Sequence, residues 1–178
     1  MSKKTSQQVK YLTVSAMLCA LGVVILGLGA VIEVLDISVA VIASLLVAYA
    51  VIEIGGPYPW LIWIVTATLA LLLLPLKTPV LFYALLTGFY PIIKQKIERK
   101  MARLPAWMLK FGVLALSLVV IWAVARLFAP TLLETPGGWV MVAATVALGL
   151  IAFVLYDFCL SRLITAYFVK WQKRFKIK

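Results

Sequence analysis

From Leu12 to Ile32 the chain runs without a single charged side chain. A helix rises about 1.5 Å per residue, so about 20 apolar residues cross the hydrocarbon core of a bilayer. This run is long enough to span, and it is the first of several. Apolar segments recur along the whole chain, separated by short stretches of proline, glycine and charge. Composition points the same way. With 65% hydrophobic and 13% charged residues in a length of 178, a water-soluble domain has too little interior to hide its apolar surface. The bilayer is the natural solvent, and the length accommodates about six spans with no room for a soluble catalytic domain.

Punctuation places those spans. Predicted helices cover 11–32, 37–54, 60–74, 79–93, 106–128 and 139–160. The first gap is acidic, with Glu33 and Asp36, and Asp36 or Ser38 suits the N-cap of the second helix. Gly55, Gly56, Pro57, Tyr58 and Pro59 form a turn that no helix interior tolerates. In the turn from Pro75 to Pro79, Thr78 is the expected N-cap and Pro79 the first helical residue. The fourth helix is expected to bend at Pro91 and to continue as a basic extension. Leu104 and Pro105 signal the next start. The connection over 129–138 carries Pro130, Pro136 and two glycines, and 162–178 is a basic tail. Lys3, Lys4 and Lys10 ahead of an apolar run resemble a signal peptide. No small-residue cleavage site follows, so the segment reads as an uncleaved first helix. The expected fold is all-α, a single polytopic bundle of six transmembrane helices.

Net charge is +11. In a soluble protein that suggests nucleic acid. Here the cations flank apolar runs, so they read as topology determinants and anchors to anionic lipid, and no nucleic-acid partner is expected. Three lie before the first helix. Six lie around the fourth connection (Lys94, Lys96, Arg99, Lys100, Arg103, Lys110), and six lie from Arg162 onward. Together these are fifteen of the seventeen. Six spans put all three groups on one side, leaving Lys77 and Arg126 on the other. The positive-inside rule then places both termini in the cytoplasm of a cell-membrane protein. Tyr11, Tyr58, Trp60, Trp107, Trp139 and Trp171 fall near the predicted boundaries, as interfacial aromatics do.

Catalytic patterns are missing. The chain has no histidine, which excludes a Ser-His pair and a histidine-ligated metal. Cys19 and Cys159 lie in apolar runs and make no metal spacing. Neither Asp36 nor Asp157 sits at mid-membrane, where an intramembrane aspartyl protease needs a pair. A Ser-Lys dyad needs a buried lysine, and none is expected within a span. No enzyme, cofactor or metal is expected.

Two kinds of residue remain. Small residues recur four apart at Ala16 and Ala20, at Ala40, Ser44 and Ala48, and at Ala143 and Ala147. Such spacing aligns small side chains on one face and lets another helix approach. For the second and sixth helices the preferred reading is packing within the bundle. The first also carries Gly22, Gly27 and Gly29, so its surface is smooth. Among the charges, Glu53 opposes the dipole at its helix end and calls for a lysine or a helix N-terminus. Asp157 calls for a cation such as Arg162 or Lys94, because a bare charge at that depth is costly. On the sparsely charged side, Glu33, Asp36, Lys77, Arg126, Glu134 and Trp139 are candidates for a solute site. Arg126 either snorkels to the headgroups or holds an anionic ligand.

Six helices in under 200 residues, both ends inside, with Ala16-Met-Leu-Cys-Ala-Leu-Gly22 early in the first, resemble the substrate-binding S components of energy-coupling-factor (ECF) vitamin transporters. The Gly-Gly-Pro turn is similar to a short glycine-containing connection in that family. The resemblance implies that Ala16 and Ala20 dock on the transmembrane T component, which acts with ATPase subunits. It also implies a ligand site toward the outer side. A different class of function suits the same sequence: a structural or assembly protein of the rod-shape or division machinery. An outward cavity lined by Trp139, Arg126 or the loop from Glu33 to Asp36 separates the two.

Overall fold

In the computed structural model, residues 3–32, 35–100, 103–128 and 138–167 are described. Side chains are described for 7–29, 32, 35–99, 105–124 and 146–167. Every regular element among these residues is helical: α1 (Lys3–Val31), α2 (Asp36–Glu53), α3 (Tyr58–Leu73), α4 (Thr78–Phe82), a π-helical segment (Tyr83–Thr87), α5 (Tyr90–Lys100), α6 (Arg103–Phe128) and α7 (Gly138–Ala166). The α4–π–α5 stretch follows on without a long loop and corresponds to one expected helix. Four helices are long and apolar enough to cross a membrane, at Gln7–Gly29, Asp36–Glu53, Pro105–Val124 and Val146–Ala166. Among the described residues the fold is all-helical, and its four candidate spans are those of a multi-pass membrane protein. Tyr58–Leu73 is apolar but shorter.

Exposure supports the same solvent. Met17, Leu72, Met108 and Leu148 are each more than two-thirds exposed. In water every such side chain forgoes about 1.5–3 kcal/mol of burial. In lipid that penalty vanishes.

Two compact units divide the chain within α6, after Lys110. In the first, α2 is central and touches α1, α3, α4, the π segment and α5. Its small residues Ala40, Ala43, Ser44, Ala48 and Ala50 are buried, so neighbours approach closely from several sides. The four-apart series Ala40, Ser44 and Ala48 is therefore used inside the bundle.

The buried stripe of α1 is Ser15, Cys19, Gly22, Leu26 and Gly29. Its intervals alternate four and three, the seam of closely packed helices. The facing stripe of α3 is Pro59, Ile62, Thr66 and Ala70. A Cβ at Gly22 would stand 2.9 Å from Thr66 Cγ2, and one at Gly29 would stand 3.1 Å from Val39. These glycines are filled by neighbours in this unit, so α1 is not smooth throughout. Between α2 and α3, Gly55 and Gly56 adopt φ of +66° and +62°. That left-handed pair reverses the chain, and other residues resist it.

Three local expectations change. Neither Asp36 nor Ser38 caps α2: its N-cap is Leu35, with no side-chain cap, and Asp36 occupies the first helical turn. Thr78 is likewise the first helical residue of α4 rather than its cap. Irregularity in the fourth helix begins ahead of Pro91, at Tyr83–Thr87. The cause is tertiary. Gly88 N–H donates to Tyr83 O at 2.7 Å, closing a π turn. A Cβ at Gly88 would lie 2.6 Å from Trp63 Cδ1. Trp63 fills that space and donates its indole N–H to Ala84 O at 3.2 Å. Thr87 Oγ1 donates to Ala40 O of α2 at 3.1 Å.

In the second unit, Leu114 and Ser117 of α6 and Phe153, Asp157 and Leu160 of α7 are buried. The Phe111 and Phe153 rings meet at 6.4 Å. Ala147, expected to pack inside, is exposed, and Ala143 lies outside the described side chains.

Candidate functional site

An open groove of about 440 Å³ runs along α1 and α3, lined on α1 by Leu12, Ser15, Ala16, Cys19 and Ala20. Tyr58, Leu61, Ile62, Val65 and Leu69 line it on α3. Its volume lies within the range of about 300–1,000 Å³ common for ligand pockets, but its lining is almost wholly carbon. Two of its polar side chains are already engaged. Ser15 Oγ donates to Tyr11 O at 2.7 Å, and Cys19 Sγ donates to Ile62 O at 3.8 Å. The groove offers little to a charged solute and suits an apolar body, such as the ridge of another helix.

Its existence depends on two alanines. Ala16 and Ala20 each sit one position past a stripe residue, Ser15 and Cys19, and both are exposed. A leucine at either place would narrow the hollow. The Tyr11 and Tyr58 rings stand edge to face at 5.8 Å at the end where α1 and α3 begin.

The same end of the unit gathers charge. Lys94 and Lys110 are only 1% and 4% exposed. Lys94 Nζ lies 3.7 Å from Glu98 Oε1, and Lys110 Nζ lies 2.7 Å from the same oxygen. Glu98 thus ties α5 to the first turns of α6. It is 45% exposed, so the pairs are partly screened by solvent. Glu53 is buried and engaged by its surroundings. Gln95 Nε2 donates to Val51 O at 3.4 Å, seating α5 on the last turn of α2. Lys96 Nζ stands 5.3 Å from the centre of the Trp60 ring, and Trp60 meets Trp63 edge-on at 5.6 Å.

Of the six solute candidates, the side chains of Asp36 and Lys77 alone are described. Asp36 is half-buried and engaged. Lys77 closes the C-terminus of α3, where its ammonium donates to the carbonyls of Leu71 and Leu74. Glu33 and Glu134 lie outside the described residues, and Arg126 and Trp139 are described only as helical backbone. Arg162 is exposed and stands 5.1 Å over the Phe158 ring, while Asp157 is buried and engaged.

Sequence reasoning missed Glu98 and Lys110. The four-residue spacing of Lys94 and Glu98 was available as a signal. Lys110 also corrects an exclusion, because it is a buried lysine within the apolar helix Pro105–Val124. Ser117 is buried seven residues further on, about 10 Å along the axis. Its hydroxyl donates to Val113 O at 2.9 Å, so the two do not form a dyad. Among the described residues, no three of Cys, Asp and Glu gather as metal ligands. No protein-family model, curated protein or solved structure matches this chain.

Proposed function

We propose that the protein is the membrane-embedded solute-binding subunit of an ECF-type transporter, and that the α1–α3 groove receives a helix of its energising partner. The observation that carries this reading is the placement of Ala16 and Ala20. Both are exposed, both line the same open groove, and neither is consumed by packing within the first unit. Small residues let backbones approach, which is how helices associate where lipid removes the hydrophobic drive. In this reading both termini are cytoplasmic. A small vitamin-like solute enters from the outer side, where Glu33, Asp36, Lys77, Arg126, Glu134 and Trp139 are the candidates, and an ATP-driven complex completes transfer.

Tagged protein is expected to bring down a T-type subunit and an ATPase pair. Ala16→Trp with Ala20→Trp fills the groove and should abolish that association while membrane insertion stays normal. Unchanged association in the double variant refutes the docking face. Mass spectrometry of small molecules retained by the purified protein tests the solute. A second reading, an assembly protein of the cell envelope, draws on the apolar character of the groove, which suits a permanent partner helix as well as a transient one. A stable complex with envelope-assembly proteins and no retained solute would select it.

A further inference from the structure

Four cations of α5 and early α6 have described side chains, and they divide into two pairs. Lys94 and Lys110 point inward and share Glu98. Lys96 and Arg99 are exposed, three residues apart on the outward face of α5. Side chains at that spacing are neighbours, and like charges there repel. The nearest carboxylate in sequence, Glu98, is already bound by two lysines. Among the described residues, neither Lys96 nor Arg99 has an ion pair.

Lys96 is nevertheless held in place. Its ammonium lies over Trp60, and such a contact lowers the energy of a cation on an aromatic face. Trp60 is braced in turn by Trp63, whose N–H is fixed on Ala84 O. Trp60 also marks a level. It stands in the first turn of apolar α3, just past the Gly55–Gly56 reversal, where a membrane-bound helix leaves the headgroups. The exposed side chains Trp107, Met108 and Leu109 begin α6 nearby in sequence. Two cations without a carboxylate partner at a hydrocarbon boundary complement a headgroup of net negative charge, a phosphate diester with no ammonium of its own beside it.

We propose that Lys96, held over Trp60, and Arg99 form a seat for the headgroup phosphate of an anionic phospholipid. The seat is independent of the transporter reading and stands if that reading fails. Arg99 supplies a planar fork that can hold two phosphate oxygens, and Lys96 supplies a point charge on a fixed stem. Lys94 and Lys110 are excluded from the seat by burial.

Native mass spectrometry of the purified protein, titrated separately with phosphatidylglycerol, phosphatidylcholine and inorganic phosphate, tests this. Wild-type protein should bind phosphatidylglycerol at least about tenfold more tightly than phosphatidylcholine, and added salt should narrow the gap. Lys96→Gln with Arg99→Gln should weaken phosphatidylglycerol about 25-fold, and each single change about fivefold, leaving phosphatidylcholine unchanged. Lys96→Arg should retain binding. The single variants and Lys96→Arg carry the test if the double variant does not fold. Equal binding of the two lipids, or phosphatidylglycerol binding unchanged in the variants, overturns the proposal. Displacement of the lipid by equimolar inorganic phosphate also overturns it, assigning the site to a soluble ligand.

Discussion

Gly22 and the Ala16–Ala20 pair lie within two turns of each other on α1, and both present almost no side chain. Their fates differ. At Gly22 the third helix closes in until a Cβ would touch Thr66 Cγ2 at 2.9 Å. At Ala16 and Ala20 it leaves an open groove. A small residue therefore permits close approach without compelling it. Position relative to the buried seam decides: Gly22 is on the seam with Ser15, Cys19, Leu26 and Gly29, while the alanines are one position past it. The first kind of site is spent on this protein's own fold, and the second remains available.

The strongest way to break this distinction is Gly22→Val. Its added carbons meet the buried, β-branched side chain of Thr66, and overpacking of this kind costs about 1–3 kcal/mol. A loss of about 3 kcal/mol is expected in equilibrium unfolding of the micelle-embedded protein. Gly27→Ala is the control on the same helix. Nothing lies within 4 Å of its Cβ position, so it should be neutral or stabilising by up to about 1 kcal/mol. Equal losses in the two variants would dissolve the distinction between seam and flank. Gly88→Ala should come next, at about 2 kcal/mol. Its Cβ would meet Trp63 Cδ1 at 2.6 Å and the Tyr83 carbonyl at 2.7 Å, and backbone cannot swing aside. A wild-type unfolding midpoint would show that the π segment relaxes freely.

What the sequence discloses follows from how far each signal reaches. Helical class and the turn between α2 and α3 are local. An uncharged run and a Gly-Gly-Pro turn announce themselves, and the observed helix limits lie close to the expected ones for α2 and α3. The irregular fourth helix was not legible at Pro91, because its cause is Trp63, on the preceding helix, pressing against Gly88. The seam of α1 was half legible. Alanine at 16 and 20 is visible as a pattern, but Ser15, Cys19 and Gly22 become a seam only once α3 is placed beside them. The charge cluster failed for the same reason. Lys110 reads as one more topology cation until Glu98 reaches it from α5.

The alanine flank gives a smaller and opposite expectation. Ala16→Trp with Ala20→Trp adds large rings to a groove with space for them, so stability should change by less than about 1 kcal/mol. A loss as large as that of Gly22→Val, in the same unfolding experiment, would mean that the groove closes in the native protein and is not a free surface.

The most sensitive probe is the thiol of Cys19, which sits on the seam but also reaches the groove wall. It is buried, and its Sγ–H points at Ile62 O. Cys159 is exposed on α7. Only a thiol that meets reagent can react, so a small lipophilic maleimide should label Cys159 at least about tenfold faster than Cys19 in the folded protein. Single-cysteine variants, Cys19→Ala and Cys159→Ala, separate the two rates. Because the sulfur hydrogen bond is weak, Cys19→Ala should itself cost about 1 kcal/mol or less. Combined with the seam variant the probe becomes decisive. Gly22→Val pushes α3 away one turn from Cys19, so the slow rate should rise toward that of Cys159. Ala20→Trp, which lies on the other side of the same thiol and fills the groove, should slow it further. If both substitutions change the rate in the same direction, seam and groove are one continuous opening, and the division drawn along α1 does not hold.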